Sequence, residues 1–139
     1  MAPKLILFPL LAQIGLTLWV YVHLAIAKRH ALALDQVDHS RRALHADAWP
    51  DSVLQISNNL RNQFEAPVLF YVLVLVIWAI GAVNPFSMAV AWGFVLSRCV
   101  HAHEHLRRNY VPRRRAIFMV GWGLLVVLLL QCLWSLSVS

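Results

Sequence analysis

The sequence predicts an all-α protein, an integral membrane antiparallel four-helix bundle, and three observations carry that prediction. Of its 139 residues 60% are hydrophobic and only 13% charged, and mean hydropathy is +0.66, far from the mixture of a soluble domain. Four stretches reach the roughly 20 apolar residues that a bilayer-spanning helix needs. Short or moderate connections join them, which makes successive spans antiparallel neighbours. Little chain remains outside these stretches and no internal repeat is present, so residues 1–139 are expected to form a single transmembrane domain. The helices are expected at about 5–27, 58–83, 86–108 and 114–138, with one polar excursion at about 28–57.

The net charge of +6 could suggest a nucleic-acid partner, but its distribution argues against one. Lys28, Arg29, Arg41 and Arg42 fall in the first connection. Arg107, Arg108, Arg113, Arg114 and Arg115 fall in or beside the third, and the second connection near Asn84-Pro85 has none. Lys and Arg collect on cytoplasmic loops. Connections one and three are therefore expected in the cytoplasm and both termini outside, with the lipid bilayer as partner and anionic headgroups as a secondary one.

Helix one carries Pro9, Gln13 and His23 among aliphatic residues. Its apolar stretch is longer than the roughly 7–15 residues of a signal-peptide core, which favours an uncleaved span. Gln13 and His23 are expected to act as interhelical hydrogen bonders or interface residues. In the excursion, Trp49-Pro50 reads as an interfacial anchor and a helix start, and His30, His39 and His45 read as solvated. Cys99 and Cys132 lie at different depths on antiparallel spans, so no disulfide is expected.

Helix two places Asn58, Arg61, Asn62 and Glu65 within one arc of roughly 100°, with Gln63 and Phe64 pointing elsewhere. Pro67 follows closely and should kink the helix by removing the hydrogen bond to the Gln63 carbonyl. Gly81, Asn84 and Pro85 mark a tight turn. Helix three then carries Arg98, His101, His105 and Arg108 on one stripe, with His103 and Glu104 facing away. Helix four opens after Pro112 and the run Arg113 to Arg115.

Because helix two enters the membrane at the level where helix three leaves it, these polar faces converge. Arg98 lies deep, about 14 Å of helix from Arg107, and a charge at that depth needs an interior partner. Glu65 is the acid expected to meet it, leaving an excess of positive charge that an anionic ligand would balance. His101 to His105 does not support a metal site: only His101 and His105 share a face, and a catalytic metal needs about three protein ligands.

The blocks Arg61-Asn62-x-x-Glu65 before Pro67, and Arg98-x-x-His101 with His105 before Pro112-x-Arg114, together resemble the MAPEG family of membrane-associated proteins in eicosanoid and glutathione metabolism. The resemblance implies a homotrimer of four-helix subunits with glutathione as co-substrate, bound between neighbours. Arg61, Asn62 and Glu65 would hold its charged ends, and Arg98 and His101 would line the site, to which Asn58, His105 and Arg115 are added from the same faces. Arg114 matches the arginine that stabilises the glutathione thiolate, which would make it the catalytic residue. A lipophilic electrophile or hydroperoxide would arrive from the bilayer, as in a glutathione transferase or peroxidase. Phe118 stands where a tyrosine is expected, His105 replaces another aromatic hydroxyl, and Arg115 stands where some members have serine. Those departures favour an alternative, a non-catalytic member binding glutathione, an anionic lipid or another anionic metabolite.

Overall fold

The computed structural model describes residues 2–107 and 110–138. The described residues are helical throughout their ordered elements: α1 Leu7–Ala33, α2 Asp51–Asn62, α3 Ala66–Ala79, α4 Pro85–Leu106 and α5 Val111–Val138, with 3-10 turns at Pro3–Ile6 and Ala46–Ala48. α2 and α3 replace the single helix expected at 58–83. α1 packs on α2, α3 and α4, and the broadest packing in the bundle is between α4 and α5. Arg108, the last member of the expected polar stripe, lies outside the described residues.

Among the described residues three stretches, Pro3–Ala33, Asp51–Ala79 and Val111–Val138, are long and apolar enough to cross a membrane. The sequence suggested four. α4 has the length, at 22 residues, but its second half holds Arg98, His101, His103, Glu104 and His105. One face of α4 is buried against its neighbours, with Ala91, Phe94, Val95, Arg98, His101 and Ala102, while Phe86, Trp92, Leu96 and Val100 on the other face stay exposed. The other helices likewise keep Leu11, Leu18, Val22, Val72, Leu75 and Leu130 exposed, as surfaces solvated by lipid tails would be.

The helix ends follow from local chemistry. α1 continues to Ala33 rather than Ala27, and ends where Asp35 takes φ 52°. The Gln36 N–H then reaches the Ala31 carbonyl at 3.0 Å and the Asp35 N–H reaches Leu32 at 3.2 Å, a Schellman closure. α3 ends the same way at Gly81, φ 69°, with Ala82 N–H on the Ile77 carbonyl at 3.0 Å. α4 starts with a capping box: the Ser87 N–H donates to Asn84 Oδ1 at 2.9 Å and the Asn84 N–H to Ser87 Oγ at 3.0 Å, with Pro85 in the first turn.

Two apolar clusters result. The larger runs from Ile6 and Leu10 through Phe70, Val74 and Phe94 to Leu128 and Cys132, with Phe70 and Phe94 stacked at 4.4 Å. The smaller joins Ala31, Val37 and Val53, backed by Leu24, Ala27 and Trp49. It folds the excursion, shortened to residues 34–50, onto the end of α1. His30, His39 and His45 are exposed there, as expected. Both cysteines are free, Cys99 exposed and Cys132 buried.

Candidate functional site

The site is built on a helix break. A proline is tolerated in the first turn of a helix but not inside one, and Pro67 takes that early place by letting α3 restart at Ala66. The expected kink is therefore a full interruption over residues 63–65. The last turn of α2 tightens, with the Gln63 N–H on the Leu60 carbonyl and the Phe64 N–H on the Arg61 carbonyl, each at 3.0 Å. Arg98 Nη2 donates to the Asn62 carbonyl at 3.2 Å. A cation thus caps the C-terminal end of α2, where the helix dipole favours positive charge.

Beside the break lies a chain of buried amides. Gln13 Nε2 donates to Gln63 Oε1 at 3.0 Å, Gln63 Nε2 to Asn59 Oδ1 at 3.2 Å, and Asn59 Nδ2 to the Ala102 carbonyl at 3.3 Å. Gln55 Nε2 extends the pattern to the His105 carbonyl. Gln13 is thus the interhelical hydrogen bonder the sequence suggested. The inward face of α2 differs from the expected one, however: Asn59 and Gln63 are buried, whereas Asn58, Arg61 and Glu65 are exposed and Asn62 is half-buried. Neutral amides with partners are far cheaper to bury than charges, so the helix turns Asn59 and Gln63 inward and leaves Arg61 and Glu65 outside.

Arg98 is 1% exposed. The expected ion pair between Arg98 and Glu65 does not form; the guanidinium bonds to the Asn62 carbonyl instead. Glu104 is buried rather than facing away, with Oε2 3.6 Å from Nη1 of the largely exposed Arg113. Arg113, in the first turn of α5, reaches it from outside α4, which a count along α4 alone could not reveal.

Between the break and this corner opens a cleft of about 270 Å³ lined by Asn62, His101, Val111, Arg114, Arg115 and Phe118. The Arg98 guanidinium carbon sits 5.7 Å from the Phe118 ring centroid, and the His101 ring lies 5.7 Å from the same ring. His105 packs edge-on against His101 at 5.9 Å. Arg98 Nε and Nη1 and the Nδ1 atoms of His101 and His105 are buried without hydrogen-bond partners among the described residues. Two guanidinium groups stand in the lining and a third behind it, no carboxylate lines the wall, and Phe118 gives the cleft an aromatic floor.

Of the residues selected from sequence, the fold brings Asn62, Arg98, His101, His105, Arg114 and Arg115 together. It leaves Asn58, Arg61 and Glu65 on the outer face of α2. Sequence reasoning missed Asn59, Gln63 and Glu104; the i,i+4 spacing of Asn59 and Gln63 was the available signal. Among the described residues no three His, Cys, Asp or Glu side chains are grouped to hold a metal. A family model, that of the MAPEG family, matches residues 6–134. No curated protein and no solved structure matches the chain.

Proposed function

The chain belongs to the MAPEG family, a membrane protein of the glutathione and eicosanoid metabolism group, and from that premise we propose that it is a glutathione-dependent transferase or peroxidase acting on lipophilic electrophiles or hydroperoxides. One observation carries the reading: the cleft of Asn62, His101, Arg114 and Arg115, backed by the buried Arg98, concentrates positive charge with no acid in its wall. Glutathione is a net anion, and more so as its thiolate.

In this reading Arg114 is the catalytic group. Its guanidinium beside the sulfur stabilises the thiolate over the thiol, and the proton leaves to water. The sulfur then forms a bond to the electrophilic atom of a substrate drawn from the bilayer as that atom's leaving group departs with its electron pair. With a hydroperoxide it takes the terminal oxygen as the O–O bond breaks, releasing an alcohol and a glutathione sulfenic acid that a second glutathione converts to the disulfide and water. Asn58, Arg61 and Glu65 face outward on one chain, where in a homotrimer they would complete a site shared with a neighbouring copy. The basic ends of α1 and α5 and the folded loop would lie on the cytoplasmic side, with both termini opposite.

Calorimetric titration and conjugation to a general electrophile test the proposal. Glutathione should bind, and Arg114→Ala should abolish conjugation while leaving measurable binding. Undiminished conjugation in Arg114→Ala would remove Arg114 from the role given to it. A second reading rests on Phe118, whose ring fills the floor of the cleft and cannot donate a hydrogen bond: the chain would bind glutathione or another anion without turning it over. Binding with no conjugation in the native protein would decide for this reading.

A further inference from the structure

A second cleft, of about 210 Å³, lies at the loop end of the bundle and shares no lining residue with the first. Lys28, Arg42, Leu44, His45, Trp49 and Ser57 contribute to its wall. The excursion carries acids as well as bases, yet no acid lines this cleft. The acids are engaged elsewhere. Asp47 holds Arg41 at 2.7 Å, Asp35 faces His39 at 3.3 Å, and Asp38 accepts from the Ser40 N–H and hydroxyl at 3.0 and 2.6 Å. The cationic character of the cleft is thus a product of folding.

Trp49 links the Lys28 side chain to the backbone of Arg42. The Lys28 ammonium sits 4.9 Å over its ring, and its Nε1–H donates to the Arg42 carbonyl at 3.4 Å. Lys28 follows directly on the apolar stretch of α1 that ends at Ala27, so the cleft stands at the depth where hydrocarbon gives way to headgroups. Tryptophan is enriched at that depth. Leu44, on the same wall, is 90% exposed, an apolar side chain that acyl chains could cover.

We propose that this cleft binds the phosphate group of an anionic phospholipid, with Lys28 and Arg42 holding the phosphate oxygens, Trp49 at headgroup depth and Leu44 among the upper acyl carbons. Charge-assisted bonds from a guanidinium and an ammonium suit a phosphate, and basic residues at a membrane surface favour anionic headgroups over zwitterionic ones.

Native mass spectrometry of the full-length protein in detergent, titrated separately with phosphatidylglycerol, phosphatidylcholine and inorganic phosphate, tests this. Phosphatidylglycerol should bind in preference to phosphatidylcholine, weakening about fivefold for each charge removed in Lys28→Gln and Arg42→Gln and about twenty-five-fold in the double variant. Lys28→Arg should retain binding, and Arg107→Gln, exposed at the end of α4, should leave it unchanged. Reading the single variants separately keeps the test valid if the double variant fails to fold. Equal retention of the two lipids, or binding unaltered in both single variants, would overturn the site. Inorganic phosphate binding where phosphatidylglycerol does not would overturn the lipid as its source.

Discussion

Replacing Gln63 with leucine should destabilise the bundle by about 1–3 kcal/mol, a magnitude that follows from its two buried hydrogen bonds, to Gln13 at 3.0 Å and to Asn59 at 3.2 Å. In a water-soluble core, each orphaned partner costs about 1–3 kcal/mol, which would give about 2–6. Between membrane helices such bonds average about 0.6 kcal/mol with a maximum near 1.7, because the unfolded chain in the bilayer also finds partners. The lower bracket applies, since Gln13 and Gln63 sit among helices long and apolar enough to span. Reversible unfolding in mixed micelles would measure it, across wild type, Gln13→Leu, Gln63→Leu and the double variant. The coupling between the two positions should be about 0.6–1.7 kcal/mol. Additivity to within about 0.3 kcal/mol would refute the amide chain as an energetic unit, and a loss well above about 4 kcal/mol would refute the bilayer reference state.

Asp35→Gly should stabilise the protein by about 0.5–1 kcal/mol, because glycine accepts the left-handed φ of 52° without a Cβ penalty; a lowered melting temperature would contradict this. Phe118→Tyr should raise the conjugation rate about tenfold with little change in glutathione affinity, the effect of one added donor to a charged group, and a flat rate would show that the missing hydroxyl is not limiting. The Arg41 guanidinium, hydrogen-bonded to Asp47, holds that carboxyl below its ordinary value. A depressed folded value means that the pair contributes fully above the unfolded aspartate value of about 4 and less as pH falls through the folded one. Amide protection factors over residues 38–48, corrected for the intrinsic fall of exchange with pH, should therefore drop below about pH 4, while the bundle's melting, read separately, stays unchanged because both partners are at the surface.

Hydropathy and the spacing of Arg98, His101 and His105 made the bundle and the buried polar stripe behind the cleft legible, because depth and periodicity are properties of a single helix. What was not legible depended on two helices at once. Glu104 could not be assigned to Arg113 without knowing how α5 folds over the end of α4. Counting polar side chains on α2 found a polar face correctly, but could not tell the buried side of Asn59 and Gln63 from the exposed side of Arg61 and Glu65, since that choice rests on Gln13 and the Ala102 carbonyl across the gap. Pro67 announced an irregularity, and only the capping of the Asn62 carbonyl by Arg98 accounts for the cation beside that break.

The small cluster of Ala31, Val37 and Val53 shares no buried residue with the large one. α1, about 40 Å long at 1.5 Å per residue, passes through both and outruns a hydrocarbon core of about 30 Å. The protruding turn and the loop folded on it are therefore expected to open and reclose as a unit while the spans beneath stay packed. Native-state exchange should resolve it as a separate foldon, and its opening free energy would set how long a molecule held under the loop stays there.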